Sequence, residues 1–243
     1  MALLSASGIV VRFGGILALS EASIDVEEGK VTGLIGPNGA GKTTFFNVIT
    51  GLQQPTRGRV RFEDRDITNR SPYRRARMGI ARTFQKLEAF GSLSARDNVL
   101  VAAEQHGAFH RSDRSPAAIA GELLTRVGID DVADYMVGTL PTGTARLVEL
   151  ARALATSPKV LLLDEPSSGL DDNETDAMAA LLRDLVTDGL AVLLVEHDMS
   201  FVMGTCDAIT VLDFGEVLTS GTPDEVVADP RVQAAYLGTL DVP

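Results

Sequence analysis

The stretch Gly36-Pro37-Asn38-Gly39-Ala40-Gly41-Lys42-Thr43, with Thr44 after it, limits what this chain can fold into more than any other segment. It fits the phosphate-binding P-loop pattern. Glycines are needed there because the loop turns its backbone N–H groups inward around phosphates, with no room for Cβ atoms. A helix starting near Gly41 adds the partial positive charge of its N-terminus. Lys42 is suited to bridging the β- and γ-phosphates, and Thr43 to offering a hydroxyl to Mg²⁺. The context agrees: the apolar run Val31 to Ile35 precedes the loop, and the amphipathic stretch Phe45 to Ile49 follows it.

A site of this kind needs an acidic element for the metal. Val160-Leu161-Leu162-Leu163-Asp164-Glu165-Pro166 supplies one at the end of an apolar run, and α/β sheets bind ligands at the carboxyl ends of their strands. Asp164 is expected to bind Mg²⁺ through water, and Glu165 to polarise the attacking water as a general base. An acidic strand terminus of no function is the alternative for this pair taken alone.

Net charge excludes one class of partner. With 33 acidic and 22 basic residues the chain carries −11, a poor match for sequence-independent binding to nucleic acid, which needs clustered Lys and Arg. Arg65, Arg70, Arg74, Arg75, Arg77 and Arg82 form a local basic group, read as a solvated face or, alternatively, a docking surface. The single cysteine, Cys206, rules out an internal disulfide and fits a reducing compartment, with a small buried side chain as its role. No charged-then-apolar leader opens the chain, and the longest apolar stretches fall far short of the ~20 residues of a spanning helix. A membrane role is therefore expected to come through a partner.

Strand-like runs at Leu3 to Val11, Ala22 to Val26, Val31 to Ile35 and Arg59 to Phe62 fill the first third. A helical block follows. Ser94-Ala95-Arg96-Asp97 predicts a capping box for a helix reaching about Glu104; Gly107 to Arg114 reads as a polar loop; Ser115-Pro116 predicts N-cap and N1 of the next helix. Strand and helix then alternate: Val160 to Leu163, a helix from Glu174, Ala191 to Val195, a short helix, and Ala208 to Leu212. Buried apolar strands separated by helices mean a parallel sheet covered on both faces.

Beyond these two motifs, the whole chain resembles the ATP-binding subunits of ABC transporters. Phe13, in Val11-Arg12-Phe13-Gly14-Gly15, looks like the aromatic that stacks on adenine, against the alternative of a core Phe. Gln85, in Arg82-Thr83-Phe84-Gln85, looks like the Q-loop glutamine that touches Mg²⁺ or water and senses the transmembrane partner. Ser168-Gly169-Leu170-Asp171 looks like the D-loop, and His197, in Val195-Glu196-His197-Asp198, like the switch histidine of the γ-phosphate. Catalytic roles are thereby expected for Glu165, His197 and Gln85, metal contacts for Thr43, Gln85 and Asp164, and nucleotide contacts for Phe13, Gly36, Asn38, Gly39, Gly41, Lys42, Thr43 and Thr44. The fold implied is α/β: a P-loop NTPase core with a parallel sheet, an N-terminal antiparallel β subdomain and an inserted helical subdomain. Residues 1–85 and 141–243 are expected to form the core with its β subdomain, and 86–140 the helical one.

Arg12-Phe13-Gly14-Gly15, Met78 to Gln85, Glu196-His197-Asp198-Met199 and the tail Ala235-Tyr236-Leu237-Gly238 are similar to subunits of importers for branched-chain and other hydrophobic amino acids. The implied partners are transmembrane permease subunits, a second ATPase subunit and, indirectly, a substrate-binding protein. ATP and Mg²⁺ are the implied cofactors, and the implied location is the cytoplasmic face of the membrane. One segment departs from the family. Its usual Leu-Ser-Gly-Gly-Gln signature stands here as Leu140-Pro141-Thr142-Gly143-Thr144. Pro141 brings neither hydroxyl nor N–H to the place of the serine, which favours a heterodimer over a homodimer. The alternatives are a soluble non-transport ABC ATPase and an ATP-binding subunit with little turnover.

Overall fold

The computed structural model describes residues 2–109 and 114–237. Strands β1 (Ala2–Phe13) and β2 (Ile16–Glu27) pair antiparallel across the Gly14-Gly15 turn and are joined by β4 (Arg57–Phe62) and β5 (Arg65–Asp66). The order is β2-β1-β4-β5, antiparallel throughout. Leu4 and Ala6 are buried, then Ile9 and Val11; a register shift between Ala6 and Ile9 moves the alternation by one residue and keeps the apolar side chains on one face.

The second sheet contains β3 (Val31–Ile35), β6 (Ile80–Arg82), β7 (Val160–Asp164), β8 (Ala191–Val195), β9 (Ala208–Asp213) and β10 (Glu216–Gly221), in the order β10-β9-β3-β8-β7-β6. All pairings are parallel except that of β10 with β9. Every residue of β3, β7 and β8 is buried, because helices or the first sheet cover both faces. Helix α1 (Lys42–Thr50) follows β3 and puts Phe45, Phe46 and Ile49 between this sheet and the antiparallel one.

Helices α2 (Pro72–Arg77), α3 (Ala95–Phe109), α4 (Pro116–Arg126), α5 (Thr142–Leu154), α6 (Asp172–Thr187), α7 (Met199–Thr205), α8 (Pro223–Ala228) and α9 (Pro230–Leu237) complete the described chain. Between β6 and α5 no strand occurs among the described residues, only the isolated bridge Ser94–Met136. The opposite face of the parallel sheet shares one apolar cluster with α5, α6, α3 and α4, through side chains such as Val148, Leu182, Val99 and Leu124. No helix is long and apolar enough to cross a membrane among the described residues.

Three expectations change in detail. Helix α3 does not stop near Glu104 but continues to Phe109, so the polar loop is shorter at its start; residues 110–113 lie outside the described ones. Ser94 does cap α3, accepting from Asp97 N–H at 3.0 Å, but its hydroxyl, not its N–H, donates to the Asp97 carboxylate at 2.7 Å. The arginine group is not a uniformly solvated face. Arg75 is 1% exposed and donates to the carbonyls of Val48, Ile49, Thr68 and Arg70 at 2.6–3.0 Å. Arg82 is buried against Asp164. Cys206 is buried as expected, and burial pushes its thiol up to about 12.

Candidate functional site

The strand order brings the candidate residues together. Neighbours β3, β8, β7 and β6 are parallel, so their carboxyl ends lie along one sheet edge. From β3 springs the P-loop, from β8 Glu196-His197, from β7 Asp164-Glu165, and from β6 the segment to Gln85. In-register pairs Leu34–Val195 and Asp164–Val195 level those ends.

Within the P-loop, Gly36 has φ +152°, and a Cβ there would sit 2.0 Å from the Leu212 carbonyl oxygen. At Gly41, φ +105°, a Cβ would meet the Ala18 oxygen at 2.7 Å. At these two positions the excluded space is filled by the protein's own β9 and β2, whereas a Cβ on Gly39 would meet nothing within 4 Å. Expectation and structure thus differ at Gly39, where φ +84°, not crowding, favours glycine. Asn38 and Thr43 are exposed and Thr44 is half-buried beside them. Lys42 begins α1 and donates to the Gly36 and Pro37 carbonyls at 2.6 and 3.0 Å. Burial lowers its pKa, opposed by the carboxylates of Glu165 and Asp164. The loop is braced from the far end of the chain: Tyr236 of α9 is hydrogen-bonded to the Gly36 backbone, and burial raises its hydroxyl to about 12.

Asp164 and Glu165 diverge although adjacent. Asp164 is 5% exposed and takes a 2.8 Å hydrogen bond from Arg82 Nη2, whose Nη1 donates to Asn47 of α1 at 2.6 Å. The Arg82 guanidinium lies over the rings of Phe46 (5.4 Å) and Phe84 (4.9 Å). Glu165 leaves the strand with φ +52° and accepts from Gln85 Nε2 at 3.1 Å. His197 is 71% exposed, with its N–H bonded to the buried Glu196 carboxylate at 3.0 Å. Phe13 is 49% exposed at the end of β1, so it is not a core residue.

Pro141 occupies the N-cap of α5, and no side chain caps that helix. Thr142 is exposed, Thr144 half-buried, and Gly143 buried, where a Cβ would meet Leu170 at 2.7 Å. Leu140-Thr144 therefore packs on the Ser168–Asp171 turn of the same chain. Asp171 is the N-cap of α6 in a reciprocal capping box with Glu174. Arg146, one turn into α5, donates to the carbonyls of Ser168 (2.9 Å) and Gln85 (3.0 Å) and joins three of the candidate segments. Arg82 and Glu196 stand in the segments read for Gln85 and His197, and Ser167 stands beside Ser168, but the sequence assigns none of them a role; Arg146, 22 residues from Ser168 and 61 from Gln85, carries no such signal.

Comparison with known proteins decides the family. Residues 19–168 match the ABC transporter family, and residues 216–241 match a family described as branched-chain amino acid ATP-binding cassette transporter. The chain belongs to the ABC transporter family. The high-affinity branched-chain amino acid transport ATP-binding protein BraF of Pseudomonas aeruginosa is 41% identical, with 97% of this chain and 98% of BraF covered. The corresponding LivG of Escherichia coli K12 is 37% identical over the same shares. The lipopolysaccharide export system ATP-binding protein LptB of Acidithiobacillus ferridurans is 38% identical, covering 97% of each chain. The ADP conformation of MJ1267, an ATP-binding cassette of an ABC transporter, superposes with a TM-score of 0.87 at 32% identity, covering 98% of this cassette and 99% of that one. The cassette is thus an ATP-binding ATPase subunit of a transporter, with the α/β fold of its relatives.

Proposed function

We propose that this cassette powers import of branched-chain or other hydrophobic amino acids from the cytoplasmic face of a membrane, docked on permease subunits and served indirectly by a substrate-binding protein. The catalytic part rests on four loops meeting at one sheet edge. The choice of cargo rests on the match of residues 216–241, because overall identity is about as high to an export subunit as to the importer subunits.

In this scheme Phe13 stacks on adenine, and Gly36, Asn38, Gly39, Gly41, Lys42, Thr43 and Thr44 surround the phosphates. On nucleotide entry Lys42 gives up its two loop carbonyls for phosphate oxygens. Thr43 hydroxyl, Gln85 amide and Asp164 carboxylate are hard oxygen donors, which suits Mg²⁺ held by few protein groups together with phosphates. Bound Mg²⁺ would neutralise charge developing on the phosphates. Glu165, steadied by Gln85, orients and deprotonates the attacking water, while His197 reaches the γ-phosphate from β8. Ser168 and Asp171 lie in the turn that crosses to a second ATPase subunit, and Pro141, Thr142, Gly143 and Thr144 face the ATP held by that subunit.

The permease side is a groove of about 480 Å³ between α2 and the segment 86–140, read as the helical subdomain set into the core of 1–85 and 141–243. Tyr73, Phe84, Phe90 and Phe109 are exposed along it, with Arg77 and Arg152 stacked on its rings. Phe84 precedes Gln85, so a permease segment in the groove would press on the Glu165 hydrogen bond. Uptake of labelled leucine, isoleucine and valine by cells lacking the chromosomal copy is the test. Restoration by the wild-type gene and not by Lys42→Ala is expected. Equal uptake with both would refute the proposed function.

A further inference from the structure

Glu196 is a carboxylate with a fully buried side chain, directly after the five buried apolar residues of β8. An ionised group there is costly unless donors surround it. Three do. Glu196 Oε1 accepts from Ser167 N–H at 2.8 Å and from Ser167 Oγ at 2.6 Å; Oε2 accepts from His197 N–H at 3.0 Å, with His197 Nδ1 at 3.6 Å. Glu196 itself opens the loop after β8, so Oε2 stays on its own neighbour His197 while Oε1 reaches across to Ser167 in the loop after β7.

An amide in this place would have one acceptor oxygen and would turn an NH₂ toward one of the loops, so the site calls for a carboxylate and not merely for a polar side chain. A deeply buried charge whose Oε1 draws both its donors from Ser167 does not let the two loops part, since separation would strand that oxygen without a donor.

We propose that Glu196 is a positioning residue that fastens switch His197 to the Ser167–Leu170 turn, so that contact of His197 with nucleotide and the placing of that turn at the subunit interface are one event. This rests on the roles given above to His197 and to Ser168–Asp171. With the partner ATPase present, Glu196→Gln is expected to keep the affinity for a non-hydrolysable ATP analogue within about threefold, since the P-loop is untouched. Its kcat should fall by about 10- to 100-fold, the value of a hydrogen bond to a charged group. Ser167→Ala removes a single donor and keeps the carboxylate; it should lower kcat about three- to tenfold, and the double variant should cost no more than Glu196→Gln alone.

Amide hydrogen exchange supplies the readout that a merely structural residue would not move. In the wild type, nucleotide should protect residues 167–170 and 196–198 together; in Glu196→Gln protection of 196–198 should persist while 167–170 loses it, and in Ser167→Ala, which keeps the backbone N–H bond to Glu196, the loss at 167–170 should be partial. Wild-type kcat with joint protection in Glu196→Gln, or in Ser167→Ala if the first variant does not fold, would overturn the proposal. His197→Ala serves as the control. Full turnover in that variant would remove the switch role on which the link depends, and would be recognised by exchange coupling that survives without catalytic effect.

Discussion

Arg75 offers the sharpest test of how the site is supported. Helix α1 carries the P-loop lysine at its start and has no basic residue in its own last turn. Its terminal carbonyls, Val48 and Ile49, are met instead by Arg75 Nη1 at 2.7 and 2.6 Å, while Nη2 and Nε hold Thr68 and Arg70 of the following loop. A cation there opposes the negative end of the helix dipole and satisfies four acceptors with one side chain. Burial lowers its pKa to about 10. That is still far above neutral, so the guanidinium stays charged and stability should not vary with pH through the neutral range on its account; the folded state binds fewer protons than the unfolded chain only above about 10. Arg75→Met keeps most of the volume but takes the guanidinium from all four carbonyls, of which Val48 keeps the Gly51 N–H. Leaving buried carbonyls without their donor costs about 1–3 kcal/mol, which for a chain of this size lowers Tm by roughly 2–12 °C. Urea unfolding and a thermal scan of Arg75→Met, with the exposed neighbour change Arg74→Ala expected to stay within about 0.5 kcal/mol, would measure it. Equal stability of the two variants would refute the role of Arg75 as a support of the α1 C-terminus.

Three further outcomes are expected. Lys42→Ala should abolish ATP binding, whereas Glu165→Gln should bind ATP and turn over ~10²–10⁴ times more slowly; phosphate release at the wild-type rate would remove Glu165 as base. Because Pro141 lacks a hydroxyl, the site it completes should lose roughly 1.5–3 kcal/mol, so a heterodimer with a paralogue of intact signature should outpace this cassette alone, and Pro141→Ser should speed the latter; brisk hydrolysis by the isolated subunit, unchanged by Pro141→Ser, would count against a heterodimer. Single cysteines replacing Lys86 or Tyr73 at the groove should cross-link to a permease loop, and cross-links confined to the opposite side of the subunit would displace the docking site.

Much of this architecture could be read before any coordinates. Val160 to Leu163 and Ala191 to Val195 are continuous apolar runs, and only a strand covered on both sides needs that pattern, so the parallel core and the place of Asp164 at its rim followed. Strand β6 was not recognised as a strand because three residues, Ile80-Ala81-Arg82, are too few to show a period. Strand β10 was missed because Glu216–Gly221 lies at the sheet edge, is half-exposed and has no alternation to detect. The arginines were the largest misjudgement. Their stems are apolar and their heads charged, so nothing local distinguishes the solvated Arg74 from Arg75, whose four partners lie 5 to 27 residues away. Glu196 stands in the His197 segment, but its role is not legible there, since Ser167, its chief donor, is 29 residues distant in sequence.

The strand order also fixes a length. From β3 to β6 there are three interstrand steps, each about 4.8 Å, so the roots of the P-loop and of the Gln85 segment stand roughly 14 Å apart along one edge. That spacing is held by ladder hydrogen bonds between β3, β8, β7 and β6. The sheet therefore behaves as a ruler: it cannot stretch to signal that ATP has arrived. Whatever travels to the permease must be carried by the loops rooted on that ruler, and the lever arms available are short, a few residues from Asp164 to Ser168 and three from Arg82 to Gln85.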